Sequence, residues 1–222
     1  MTDRFRIVTV CEGNVHRSPL AETMLRRWAQ WYLPGSVSTH VEVSSAGLQA
    51  VVGAPMGSRV QSMARALGAD GSAHVSQQLT DAMISTADLV LTASTRQRSS
   101  VLQRVPAALK RTYTMREAGA AAELIPAHEP VYSVAGLRDL VAHLSHVRRP
   151  AGDIIDPHGR DEDAYLQMAR EEIPALTALA AALLGMPPAD RDAYDRAAND
   201  PGALGEPKRE SVAPPSGAGR PR

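Results

Sequence analysis

The sequence has little cysteine, few aromatic residues and no net charge. Its one cysteine, Cys11, excludes an intramolecular disulfide and a zinc site built on several thiolates. A lone thiol is typical of a reducing compartment such as the cytoplasm. The 24 basic residues balance 24 acidic ones, which argues against a general nucleic-acid binder. Because aromatic residues make up only 4% of the chain, its core must rest on aliphatic side chains.

Long hydrophobic runs are also missing. No window approaches the roughly 18 uninterrupted apolar residues of a membrane span, and the first residues lack the apolar stretch of a signal peptide. We therefore expect a cytoplasmic protein without a membrane anchor. Residues 1–186 predict one domain. Residues 187–222 are rich in proline and glycine and contain no Ile, Phe or Trp, a composition that predicts a disordered tail.

Short β-rich segments alternate with amphipathic helical segments up to about residue 184. This alternation predicts an α/β fold, a three-layer sandwich with a central, mostly four-stranded parallel sheet and helices on both faces. Strands are predicted at residues 5–10, 41–45, 88–93 and 111–114, and helices at 18–32, 58–67, 95–104 and 161–184.

One loop combines several features of a phosphate-binding site. Residues 10–19 read VCEGNVHRSP, which gives a strand end, a cysteine, five residues, an arginine and a helix start with Ser18 as the expected cap. A loop of this length can turn successive backbone N–H groups inward as a nest for an oxyanion. Gly13 and Asn14 tolerate the positive φ that such a turn often requires. The helix N-terminus and the planar fork of Arg17 add positive charge.

The same electrostatic field favours a cysteine thiolate. We predict that Cys11 is a nucleophile beneath a bound phosphoryl group and that Ser18 donates a hydrogen bond to its sulfur. The alternative, a small buried hydrophobic residue at a strand end, is the common fate of a free cysteine, but the loop favours the nucleophile. The predicted phosphate-binding residues are Glu12, Gly13, Asn14, Val15, His16, Arg17 and Ser18.

This loop resembles the signature Cys-x-Gly-Asn-x-Cys-Arg-Ser-Pro of the low-molecular-weight protein tyrosine phosphatases. The chain matches that signature everywhere except at His16. The resemblance extends in the same order through much of residues 5–184. Its further matching segments are residues 44–47 (SSAG), 53–55 (GAP), 87–91 (ADLVL) and 156–159 (DPHG).

The resemblance implies a two-step phosphatase reaction. Cys11 attacks phosphorus and forms a phosphocysteine, while Asp156 protonates the leaving oxygen and later activates water. Arg17 and the loop amides carry the transition-state charge, so that no cofactor or metal is expected. Standing alone, Asp156 and the proline after it read as an ordinary turn. The resemblance also implies that Asn14, Ser18, Ser45 and His74 brace the loop and that Glu12, Ala50, Val51 and His158 form the substrate rim.

The departures from the family pattern concern the rim and the redox chemistry. His16 removes the second cysteine with which the family forms a protective disulfide. Histidine at 158 and aliphatic residues at 50 and 51 replace usual aromatic residues, which weakens phosphotyrosine as the specific substrate. Glu12 is predicted to repel phosphorylated substrates unless a base on the substrate pairs with it. The expected partner is a phosphorylated protein, such as a tyrosine kinase or its substrate, or a small aryl phosphate, bound by a monomer or weak dimer.

Two other functions fit the same loop. The first is a single-cysteine arsenate reductase that uses an external low-molecular-weight thiol. The second is a non-catalytic module that binds phosphorylated ligands. The Asp156–Pro157 pair favours hydrolysis over both, because neither alternative needs an acid that protonates a leaving oxygen.

Overall fold

A four-stranded parallel sheet forms the centre of the molecule, with the strand order β2-β1-β3-β4. The computed structural model describes residues 3–125 and 131–200. The predicted α/β fold with helices on both faces of a parallel sheet is confirmed. The strands are β1 (Phe5–Cys11), β2 (Val41–Gly47), β3 (Leu89–Thr92) and β4 (Thr112–Thr114).

Helices connect the strands and cover the sheet. Within residues 3–125 and 131–200, no helix is both long and apolar enough to cross a lipid bilayer. The helices are α1 (Arg17–Tyr32), α2 (Gly35–Ser38), α3 (Ser58–Ala66), α4 (Asp81–Thr86), α5 (Thr95–Arg104), α6 (Met115–Ala122), α7 (Val134–His146), α8 (Glu162–Leu184) and α9 (Pro188–Asn199), with a 3₁₀ helix at Pro106–Arg111.

The side chains of β1 alternate between two cores, one on each face of the sheet. Phe5 and Ile7 belong to the larger core, together with apolar residues of α1, α6, α7 and α8. Val8 and Val10 belong to the smaller core, beneath α4 and α5. Each such buried side chain stabilises the fold by about 1.5–3 kcal/mol. Burial on both faces explains why β1 reads as a nearly continuous apolar run.

Parallel pairing brings the carboxyl ends of the strands to one edge of the sheet. Cys11 is the last residue of β1 and pairs with Gly47, the last residue of β2. In open parallel sheets this edge is where ligands bind. The loop after Cys11 therefore lies at the expected position for a binding site.

The prediction of a disordered tail from residue 187 is wrong for α9. This helix packs against α8 and α1: the buried Tyr194 ring lies edge-on to Trp28 with a centroid separation of 5.1 Å. Asp195 accepts a hydrogen bond of 2.7 Å from Thr177. Composition averaged over 36 positions concealed one short helix whose apolar face is Tyr194 and Ala198. Residues 201–222, the rest of the predicted tail, lie outside the described residues.

Truncating Tyr194 tests whether α9 is part of the folded domain. Tyr194→Ala should lower the free energy of unfolding by about 3 kcal/mol, because it removes a buried ring between α9 and α1. Urea denaturation measures this change. Arg196→Ala, at an exposed position of the same helix, is the matched control and should change stability by less than about 0.5 kcal/mol. Equal effects of the two substitutions would contradict the packing of α9.

Candidate active site

The backbone of the loop after β1 is held from outside by the segment that follows β2. Gly47 permits this close approach, because a Cβ atom there would lie 2.5 Å from the carbonyl oxygen of Glu12. Among the described residues, the N–H groups of Gly13, Val15 and His16 have no protein acceptor, as an oxyanion nest requires. The loop carbonyls of Cys11, Glu12, Gly13 and Val15 accept hydrogen bonds of 2.8–3.0 Å from the N–H groups of Leu48, Gln49, Val51 and Gly57.

The left-handed turn of the loop falls on Asn14 rather than on Gly13. Asn14 has a φ of 57°, and it is the one non-glycine residue with a positive φ among the described residues. Both Gly13 and Asn14 were expected to tolerate a positive φ, and of the two only Asn14 adopts it. Asparagine adopts this conformation more readily than most residues. Both polar atoms of its side chain form hydrogen bonds here. The turn directs the N–H of Asn14 to the Sγ atom of Cys11, at 3.3 Å.

The buried side chain of Asn14 connects the loop to its surroundings. Its Nδ2 atom donates to the hydroxyl oxygens of Ser18, at 3.0 Å, and Ser45, at 2.8 Å. Its Oδ1 atom accepts from the N–H of Gln77 at 2.9 Å. The Asn14 carbonyl accepts from the Ser76 hydroxyl at 2.6 Å. Because its hydrogen-bonding capacity is used on several segments, this residue holds the loop in one conformation.

A second layer of this network includes a charged group that the sequence did not reveal as functional. Glu22 of α1 accepts a hydrogen bond from Ser45 and lies 3.4 Å from Nδ1 of His74. The other ring nitrogen of His74 lies 2.9 Å from the Asn14 carbonyl oxygen. Burial alone would raise the pKa of Glu22, but hydrogen bonds from His74 and Ser45 and the charge of Arg26 hold it below its usual value. Glu22 therefore anchors the network as a carboxylate.

The sulfur of Cys11 accepts two hydrogen bonds in a buried position. One comes from the Asn14 N–H and the other from the Ser18 hydroxyl, at 3.0 Å. The expectation that Ser18 caps α1 is wrong: the helix begins at Arg17, and His16 precedes it without a side-chain cap. The Ser18 hydroxyl donates its hydrogen bond to the Cys11 sulfur, as predicted. Two donors on one sulfur are the arrangement that stabilises a thiolate.

Arg17 connects the loop with the second sequence-predicted site segment, which contains Asp156. The Arg17 side chain is almost fully buried, at 5% exposure. Its Nη1 atom donates to the carbonyl of Ile154 at 3.2 Å, and its Nη2 atom forms an ion pair with the Asp156 carboxylate. Two residues far apart in the sequence, Arg17 and Asp156, are thus in contact.

The segment that carries Asp156 is fixed at several points. The Ile154 N–H donates to the Ala93 carbonyl at 2.9 Å, just beyond β3. The Ile155 N–H donates to the carboxylate of Glu171 on α8 at 2.7 Å. Asp156 itself accepts from the His158 N–H at 3.2 Å, a local turn of the kind that Asp favours. Its carboxyl group is about half exposed and faces the cavity.

A cavity of about 210 Å³ opens above Cys11. Glu12 lies at its rim and forms an ion pair of 2.6 Å with Arg96, so a basic group of the protein itself balances the charge that was predicted to repel phosphate. Ala50, predicted at the rim, is set back, and its N–H donates to Gln78. The lining residues are Cys11, Glu12, Gly13, Val15, His16, Arg17, Gln49, Val51, Asp156 and His158.

The imidazole rings of His16 and His158 line the cavity, and the Tyr165 ring lies against that of His16. The His16 ring lies 5.6 Å from the His158 ring and 5.6 Å from the Tyr165 ring, centroid to centroid. Burial and the neighbouring His158 lower the pKa of His16, partly opposed by Asp156. Within residues 3–125 and 131–200, no group of three His, Cys, Asp or Glu side chains is arranged to hold a metal ion.

Several site residues escaped the sequence analysis, and two of them carry a signal in retrospect. Glu22 on α1 and Glu172 on α8 each interrupt the buried apolar stripe of a helix. Burying an acidic side chain at such a position is costly unless it has a partner or a role in the site. Gln49, Ser76 and Tyr165 carry no such signal. Their contacts depend on loops whose paths the sequence pattern does not give.

Comparisons with known proteins agree with this geometry. A model of the low molecular weight phosphotyrosine protein phosphatase family matches residues 6–133. A relative from Ralstonia nicotianae, named as the probable low molecular weight protein-tyrosine-phosphatase EpsP, is 42% identical over 102 residues, which is 46% of this chain and 63% of that protein. The chain thus spans less than two thirds of that relative. A protein-arginine-phosphatase from Geobacillus stearothermophilus is 28% identical over 78% of this chain and 90% of its own length.

Solved structures show the same fold. The YwlE arginine phosphatase from Geobacillus stearothermophilus superposes with a TM-score of 0.53 and 25% identity over 90% of each chain. The tyrosine phosphatase AmsI from Erwinia amylovora gives a TM-score of 0.56 at 23% identity, over 82% of this chain and 94% of that one. Since the family model covers more than half of the sequence, the chain belongs to the low molecular weight phosphotyrosine protein phosphatase family.

Proposed function

We propose that the protein is a phosphatase that hydrolyses phosphomonoesters through a phosphocysteine on Cys11. The observation that carries this proposal is the constellation of Cys11, Arg17 and Asp156 around one cavity, with a doubly hydrogen-bonded sulfur at its floor. Family membership supports the reaction class. The roles of the individual residues are argued from their positions.

The first step transfers the phosphoryl group to sulfur. The Cys11 thiolate attacks phosphorus, the bond to the leaving oxygen breaks, and the electron pair moves to that oxygen. Asp156, half exposed at the cavity, supplies the proton that the oxygen takes up. The loop N–H groups and the Arg17 guanidinium bind the equatorial oxygens. Asp156 must leave its ion pair with Arg17 and become protonated before this step.

The second step releases phosphate. Water attacks phosphorus, Asp156 takes its proton, and the P–S bond breaks to restore the thiolate. The Ser18 hydroxyl, 3.0 Å from the sulfur, stabilises the negative charge that returns to it. This donor makes the thiolate a better leaving group.

Aryl phosphates, including protein phosphotyrosine, are the substrates that the cavity suits best. Val15, Val51 and the ring of His158 give it an apolar wall beside the phosphate cradle. We expect the protein to act on a phosphorylated protein or a small aryl phosphate, as a monomer or weak dimer in the reducing cytoplasm.

Protein phosphoarginine is a second candidate substrate. The protein-arginine-phosphatase relative is matched over 90% of its length, and Glu12 offers a carboxylate at the rim for a substrate guanidinium. Arsenate reduction with an external thiol and phosphate binding without turnover remain the competing functions. Neither of these functions requires Asp156 to protonate a leaving oxygen.

One set of assays separates these functions. Purified protein is given p-nitrophenyl phosphate, a phosphoarginine peptide, or arsenate with an external thiol, each in the presence of EDTA. We expect vanadate-sensitive hydrolysis of the aryl phosphate. Arsenate reduction without hydrolysis, or vanadate binding without any turnover, would refute the proposed phosphatase.

Replacing the nucleophile separates binding from chemistry. Cys11→Ser should reduce turnover of p-nitrophenyl phosphate by more than about 10⁴-fold, since a serine hydroxyl in a thiolate site is a poor nucleophile. Sulfate binding, measured by calorimetry, should persist because the loop amides and Arg17 remain. Retained turnover in the variant would remove Cys11 from the mechanism.

Replacing the proposed acid should matter most for poor leaving groups. Asp156→Asn should lower kcat by about 10²–10⁴-fold, with a smaller loss for p-nitrophenol than for phenol, because p-nitrophenolate leaves without a proton. Steady-state rates across a series of aryl phosphates measure this difference. Asp163→Asn, an exposed position on α8, should have no effect. A uniform loss across the series would argue against acid catalysis by Asp156.

Glu12 distinguishes the two candidate substrates. Glu12→Gln should raise kcat/KM for p-nitrophenyl phosphate by about 2–5-fold, because removing a rim carboxylate is worth about 0.5–1 kcal/mol to an incoming dianion. The same variant should lower kcat/KM for a phosphoarginine peptide. The gain should shrink in high salt, which screens exposed charges. A loss with the aryl phosphate would show that the carboxylate assists that substrate.

A further inference from the structure

A carboxyl group lies in the core of the protein with no hydrogen bond of ordinary geometry among the described residues. Glu172 of α8 is 0% exposed, and neither of its carboxyl oxygens has a partner of ordinary geometry. Burial raises the pKa of Glu172 well above its usual value; the charge of Arg17 and the Ala21 amide oppose this only in part. A carboxyl in such a place is uncharged, because ionisation without a partner in the interior costs far more than holding a proton.

The charged group that acts on Glu172 has an unused donor of its own. Arg17 uses Nη1 on the Ile154 carbonyl and Nη2 on Asp156, whereas its Nε atom is buried and has no partner. Arg17 of α1 thus has an unpaired donor and Glu172 of α8 an unpaired acceptor, and the charge of Arg17 acts on the Glu172 carboxyl. A buried donor and a buried acceptor that both lack a hydrogen-bond partner are rare in a folded protein.

The proposed reaction requires Arg17 to change partners. In this structure the guanidinium is paired with Asp156, but in the proposed reaction Asp156 must become free and protonated when phosphate enters. The guanidinium then turns toward the phosphate. Its position after that turn depends on which acceptors remain around it.

We propose that Glu172 is a positioning residue for Arg17, a buried carboxyl whose oxygen accepts the Nε hydrogen bond when phosphate draws the guanidinium away from Asp156. Because the carboxyl is uncharged, Arg17 keeps its full positive charge for the phosphate. An ionised carboxylate in the same place would compete with the phosphate for that charge. The inference rests on the proposed binding of phosphate by Arg17, but it does not depend on turnover.

Two variants of nearly equal size test this role in a Cys11→Ser background, which binds anions without reacting. Glu172→Gln keeps an uncharged acceptor oxygen, and Glu172→Leu removes it. We expect sulfate affinity, measured by calorimetry, to remain within about twofold for Glu172→Gln and to fall about tenfold for Glu172→Leu, since a buried donor then stays unsatisfied. The melting temperature without sulfate should not fall in Glu172→Leu, because the lost group had no partner.

Each other result decides against the proposal. Equal affinity in all three proteins would make Glu172 a space-filling residue. A loss in Glu172→Gln as large as in Glu172→Leu would show that an ionised carboxylate is needed. A lower melting temperature of Glu172→Leu would show that the carboxyl has a structural partner.

The failure of this inference is distinguishable from the failure of the proposed function. Turnover of p-nitrophenyl phosphate by the wild-type chain is measured separately. A chain that binds sulfate but never turns over refutes the phosphatase and leaves the Glu172 comparison valid. A Cys11→Ser parent that binds no sulfate overturns the inference about Glu172, whereas turnover by the wild-type chain still decides the proposed phosphatase.

Discussion

The site depends on one buried amide, that of Asn14. Its left-handed backbone turns an N–H toward the sulfur, and its side chain ties the loop to Ser18, Ser45 and the segment at Gln77. Glu22 and His74 support this arrangement from behind. The sulfur, the inward N–H groups and Arg17 keep their geometry because this network leaves the loop no second conformation. Preorganisation of this kind spares a bound oxyanion the free energy of ordering its own site.

The sequence predicted the parts that follow from local periodicity and from short spacing. The strands, the parallel sheet and the loop after Cys11 all rest on runs of fewer than about ten residues. It also predicted the hydrogen bond from Ser18 to the sulfur, but it wrongly placed Ser18 at the cap of α1. It did not decide between Gly13 and Asn14 for the positive φ, which tertiary contacts give to Asn14. Helix α9 was missed because its stability comes from contact between Tyr194 and Trp28 rather than from its own composition.

Arg17 is the point where the sheet edge, the Asp156 segment and the core of α8 meet. Because Arg17 is buried, each of its hydrogen bonds and ion pairs is stronger than the same interaction in water. For the same reason, leaving one of its N–H donors without a partner is more costly. In this structure the ion pair with Asp156 engages the Nη2 atom of the guanidinium. The proposed reaction needs that ion pair to open, so Arg17 then depends on other hydrogen-bond acceptors of the protein. The Ile154 carbonyl is one, and Glu172 is the other that we infer.

Helix α8 connects the catalytic edge to the far side of the molecule. Near the middle of α8 Glu171 holds the backbone of Ile155 beside Asp156, and six residues further along Thr177 bonds to α9. Glu171 and Thr177 belong to one helix, with Pro174 between them, so a displacement of α9 reaches the acid segment through α8. Amino-acid changes on α9 are consequently expected to alter the chemical step. Selection on catalytic speed can therefore act at positions that never meet the substrate.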